Sequence, residues 1–144
     1  MEAARASHIP LQLTRGSIVA SIQVDLSDET MTQFRQDLLS LVKASGATRI
    51  ILDVSGVHVM DLAEFESLQR TVAMAGLLGA RSVVAGLRPG VVSSLVELDA
   101  PVDWVVAALN LEQAFALFQE AIGQPATAAP PERQEEQTDE AETP

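Results

Sequence analysis

The stretch RIILDVSGVHVMDLAEFESL, residues 49–68, decides the fold, because two different periodicities meet inside it. RIILDVS (49–55) is a short, continuously apolar run ending in Asp53 and Ser55, the pattern of a strand buried on both faces of a mostly parallel sheet. Past the loop the spacing changes. Phe65, Leu68, Val72 and Ala75 recur at three and four, which predicts a helix over about 61–78 that Gly79 stops. RSVVAGL (81–87) reads as a second buried strand. Strand, helix and strand together form a crossover unit, and a crossover implies parallel pairing.

Working outward, IPLQL (9–13) and SIVASIQV (17–24) alternate apolar and polar residues and are joined across Thr14, Arg15 and Gly16, so an N-terminal hairpin is expected. Ser27 is a suitable cap for a helix whose Met31, Phe34, Leu38 and Leu41 make one apolar face, with a stop near Gly46. After the second buried strand, Pro89 stands at a first helical position, with Val91, Val92, Leu95 and Leu98 on one side of a short helix. VDWVVAAL (102–109) is expected to be a further strand. A last helix is capped by Asn110, with Leu111, Ala114, Phe115 and Phe118 inward. Hairpin followed by alternating helices and strands predicts an α/β fold with a small mixed β-sheet packed against α-helices.

Length and charge bound the function. The 144 residues suit one domain, expected over 9–122, with an N-terminal arm at 1–8 and a tail at 123–144. In that tail six acids stand against Arg133 alone, and no large apolar residue is present to offset the entropy of ordering, so a disordered acidic tail is expected. A net charge of −11 disfavours nucleic acid, whose binding relies on lysine and arginine displacing counterions. It disfavours anionic membrane surfaces as well. No cysteine is present, which excludes disulfides and thiolate chemistry and suits a reducing compartment. Neither a signal peptide nor a membrane-spanning run is visible, and a cytoplasmic protein without direct membrane insertion is expected.

The ingredients of catalysis are sparse. There is no tyrosine, there are two histidines, and no phosphate-binding or dinucleotide loop appears. His58 and Asp61 lie close in sequence but lack a third ligand, so neither a metal site nor any cofactor is expected, and no catalytic residue is assigned. Asp61 and Glu64 have the spacing of a capping box at a helix start.

The strand ILDVSGV, the loop VMDL and the run MAGLLGARSVVAGLRPGVVSSLVEL (74–98) together resemble a STAS domain, the fold of bacterial anti-sigma factor antagonists, and within it the stressosome proteins RsbS and RsbR. The resemblance spans roughly 9–122 and is strongest over 50–98; order and spacing carry it, not any single motif. It implies a non-enzymatic regulatory module of stress-response signal transduction that works by partner switching. Its partners would be a histidine-kinase-like ATPase serine/threonine kinase or switch protein and other STAS proteins, in a homo- or hetero-oligomer. The family's working residue is the serine or threonine directly after the Asp of that loop, and here the position holds Leu62. The resemblance also gives Ser94, with Ser93 beside it, the place of a second phosphorylated residue found in some stressosome scaffolds.

On the outer side of the helix after Asp61, the spacing places Leu62, Met74 and Leu77 as an apolar strip crossed by a Glu66–Arg70 ion pair, and these residues together with Asp61, whose cap is compatible with a contact, make a candidate partner-binding surface. The alternative implied by the same resemblance is a STAS subunit that docks constitutively to a transporter ATPase or permease, which needs no phosphorylatable residue.

Overall fold

The computed structural model describes residues 8–23 and 26–123. The elements follow in the order β1 (Leu11–Thr14), β2 (Ser17–Ser21), α1 (Asp28–Ser45), β3 (Arg49–Asp53), α2 (Leu62–Leu77), β4 (Arg81–Ala85), α3 (Pro89–Glu97), β5 (Ala107–Ala108) and α4 (Leu111–Gly123). This is the order expected from the sequence. The acidic tail lies outside the described residues apart from Gly123, as does the N-terminal arm apart from His8 and the end of the predicted second strand at Val24. The chain divides into two compact units after Ala114, and the five strands and first three helices belong to the first.

The sheet order is β1-β2-β3-β4-β5, with β1 antiparallel to β2 and every later pair parallel. Arg15 and Gly16, at φ 54° and 77°, make the tight turn of the hairpin, both in the left-handed region that a two-residue connection between right-twisted strands requires. In register, Ile18, Ile50 and Ser82 are neighbours on one face, as are Ala20, Leu52 and Val84 two residues on. That face meets Met31, Phe34, Leu38 and Val42 of α1, Phe65, Leu68 and Ala75 of α2, and Val91 and Leu95 of α3 in one core cluster. Val19, Ile51 and Val83 occupy the opposite face and are buried as well, so β3 is covered on both sides, as its continuous apolar run requires.

The helix ends follow their caps. Ser27 Oγ accepts from Thr30 N at 3.2 Å, and Gly46, at φ 72°, returns its N–H to Val42 O at 2.9 Å. In α1 the inward position expected for Leu41 is taken by Val42; Leu41 is half-buried at the border of the same face. At α4, Asn110 Oδ1 accepts from Gln113 N at 2.8 Å, as its capping role predicts. Ala114 and Phe118 are buried there, and Leu111 and Phe115 are half-buried.

Two further expectations need correction. The strand expected over 102–109 shrinks to Ala107–Ala108, because the chain turns at Asp103 and Trp104, and Val105 N–H closes that turn on Val102 O at 3.0 Å. The turn lets the Trp104 ring meet Phe65, with centroids 5.1 Å apart and planes at 45°. Half-burying the Trp104 ring against Phe65 offsets the few ladder hydrogen bonds given up at a sheet edge. In α3, Val92 and Leu98 are exposed where the core face was expected; a nine-residue helix turns only Val91 and Leu95 fully inward.

Candidate functional site: the loop after β3 and the start of α2

The site begins where β3 ends. Asp53 Oδ1 accepts from both the backbone N–H (3.0 Å) and the hydroxyl (2.8 Å) of Ser55, which bends the chain out of the strand. Arg88, the residue before α3, donates from Nε to the Ser55 carbonyl at 2.8 Å. Gly86, at φ 82°, brings the end of β4 so close that a Cβ there would lie 2.9 Å from Ser55 Cβ. The exits of two adjacent parallel strands are thus tied at one point.

From Ser55 the loop is anchored through alternate plugs. Val57 and Met60 are buried, while His58 and Val59 between them are exposed, Val59 to 80%. Asp61 then caps α2 reciprocally: its Oδ1 accepts from Glu64 N at 2.8 Å, and its own N–H donates to Glu64 Oε1 at 2.9 Å. Both carboxylates therefore satisfy backbone amides at the positive end of the helix dipole. Leu62 is the first residue of α2 and lies half-buried at its mouth. A cavity of about 280 Å³ opens beside the loop, lined among others by Gln23, Gly56, His58, Val59 and Glu64. Among the described residues no three His, Cys, Asp or Glu side chains are grouped to hold a metal. His8 instead faces Asp37 at 3.8 Å.

The expected strip along α2 is not one surface. Met74 and Leu77 are exposed, Leu77 to 87%, but Leu62 and Glu66 are half-buried, and the exposed Arg70 stands between them and Met74. No Glu66–Arg70 ion pair is formed among the described residues. Leu62 is twelve residues before Met74, about 18 Å at the rise of a helix, so an apolar group at the mouth is separated from an apolar end. On α3, Ser93 is exposed and Ser94 half-buried. Sequence reasoning missed Val59 and Arg88. Val59 has a readable signal, an apolar residue between two inward plugs, whereas Arg88 acts through a carbonyl that only the fold brings near.

The profile of the STAS domain family matches residues 8–112. Among solved structures, a Ser→Glu variant of RsbS from Moorella thermoacetica is similar with a TM-score of 0.68 and 24% identity, over 79% of this chain and 97% of that one. The phosphorylated form of the Bacillus cell fate determinant SpoIIAA aligns over 76% of this chain and 98% of its own, with a TM-score of 0.56 and 16% identity. The murine anion transporter Solute Carrier 26 family member A9 aligns over 76% of this chain but 18% of its own, with a TM-score of 0.61 and 20% identity. At these identities the likeness is one of fold. Among curated proteins, none matches the chain in sequence. A hairpin leading into a parallel sheet, a capped helix after the Asp-Ser strand end, and a family profile that runs through all five strands lead to one assignment: the chain belongs to the STAS domain family.

Proposed function

We propose that this chain is a non-enzymatic interaction module of a partner-switching pathway, similar in role to an anti-sigma factor antagonist or stressosome component, and that it docks an ATPase-type serine/threonine kinase or switch protein at the loop before α2. The observation that carries this reading is Leu62, placed directly after the capping Asp61 as the first residue of α2. A phosphate here would sit at a helix N-terminus beside a docked partner and break the interface by charge and desolvation. Leucine has no hydroxyl to accept it. Release by phosphorylation at this position is therefore removed, and the module either holds its partner permanently or is switched elsewhere, with Ser94 and the more exposed Ser93 as the acceptors.

Capture of the tagged protein from native lysate, followed by mass spectrometry of partners and phosphopeptides, tests this. A histidine-kinase-like ATPase or other STAS proteins should be recovered, and Leu62→Ser should become a substrate of that kinase and lose its partner on phosphorylation. Phosphate on Ser55 or Ser67 of the parent protein would refute the account. A second reading, constitutive docking to a transporter ATPase or permease, is supported by the fold likeness to the anion transporter and needs no hydroxyl at position 62. Recovery of a permease and its ATPase, with no phosphate on the chain, would establish it.

A further inference from the structure

A second surface, which uses no residue of the Asp61–Leu62 site, follows from α3 and the loop behind it. With Val91 and Leu95 turned inward, Val92 and Val96 stand exposed one turn apart, Val96 to 71%. The chain leaves the helix through Leu98 and passes Val102 on its way to β5, and both are exposed too. Three carboxylates, Glu97, Asp99 and Asp103, are interspersed with these side chains; all are exposed, and none has an ion-pair partner among the described residues. No lysine or arginine occurs between Arg88 and Arg133. The surface therefore offers apolar area edged by uncompensated negative charge, with no basic residue of its own segment to neutralise it.

That combination selects among occupants. A second copy presenting the same face would set its three carboxylates against these three, and like-charge juxtaposition across an interface is a strong bar to association. An anionic bilayer surface is repelled for the same reason. We propose that the outer face of α3 and the loop 98–103 dock a cationic amphipathic segment of another protein, whose apolar side chains cover Val92, Val96, Leu98 and Val102 while its lysines or arginines face Glu97, Asp99 and Asp103. Helix-on-surface recognition of this kind reads apolar anchors at three-and-four spacing, and flanking charge sets orientation and on-rate.

The test is fluorescence anisotropy of a labelled peptide of about 18 residues, five helical turns, built from leucine and lysine in amphipathic repeat and titrated with the full-length protein. A matched leucine–glutamate peptide is run beside it. The lysine peptide should bind and the glutamate peptide should not. Glu97→Gln with Asp103→Asn should weaken binding about tenfold, and Val96→Ser added to them should weaken it further, each with an unchanged thermal melt. Glu135→Gln, Glu136→Gln, Asp139→Asn and Glu140→Gln together should leave it within about twofold, because the proposed contacts use only Glu97, Asp99 and Asp103. Binding that survives the α3 and loop substitutions, or that is lost only on neutralising the tail, overturns the proposal. So does concentration-dependent self-association in sedimentation that Val96→Ser abolishes, which would make a second copy the occupant.

Discussion

Arg35 of α1 reaches across to α2 and donates from Nε to Thr71 Oγ1 at 3.1 Å, while its Nη2 lies 3.2 Å from Ser67 Oγ. Thr71 is fully buried and its hydroxyl donates to the Ser67 carbonyl at 3.0 Å, so one guanidinium organises a polar seam between α1 and α2 beside their apolar faces. Arg35→Ala should cost about 1–2 kcal/mol, since hydrogen bonds to a charged group at a partly buried seam are lost. Arg35→Lys should recover little of it, because an ammonium cannot present the fork that spans both hydroxyls. Urea denaturation of the three proteins checks the order.

Gly86 is required twice over, by its positive φ of 82° and by the 2.9 Å approach to Ser55 Cβ, behind which lie backbone atoms of Ser55 at 3.2 Å. Gly86→Ala should destabilise the protein by roughly 2 kcal/mol or more, because neither strand end can retreat without breaking the pairing of β3 with β4. Gly76→Ala, where no atom lies near and the residue is helical, should instead stabilise by up to about 1 kcal/mol. Thermal melts of the two variants should move in opposite directions.

The capping box predicts a graded response at Asp61. Asp61→Ala should lose about 1 kcal/mol, and Asp61→Asn considerably less, as asparagine keeps the acceptor for Glu64 N. Amide exchange in the first turn of α2 should quicken in the alanine variant before the core amides respond. Uniform quickening across α2 would show that the cap is not what holds this end.

Asp99 occupies the left-handed region at φ 56° just past α3, where Ala100 N–H closes on Leu95 O at 3.0 Å. A non-glycine residue pays for that conformation, so Asp99→Gly should raise stability by up to about 1 kcal/mol despite the added freedom of the unfolded chain. The melting temperature checks it; a fall would mean that the Asp99 side chain contributes something the hydrogen-bond pattern does not show.

Much of this architecture is local chemistry. The continuous apolar run 49–55, the three-and-four spacing after Asp61, the caps Ser27, Asp61 and Asn110 and the stops at Gly46 and Gly79 are each readable over a few residues, because strand burial, helix faces and end groups are decided within one or two turns of chain. The same holds for Leu62 as the helix's first residue, since its neighbour Asp61 declares the helix start. What the tertiary structure alone decided is everything that depends on a distant neighbour. Phe65 draws Trp104 inward and breaks an apparent eight-residue strand down to two. Arg88 finds the carbonyl of Ser55, thirty-three residues earlier, because the crossover through α2 sets the ends of β3 and β4 side by side. Glu66 and Arg70 have the spacing for an ion pair yet do not form one, since near a solvated helix face the gain is too small to fix two long side chains. Periodicity reports which way a residue points along its own element, and only packing determines what, if anything, it meets there.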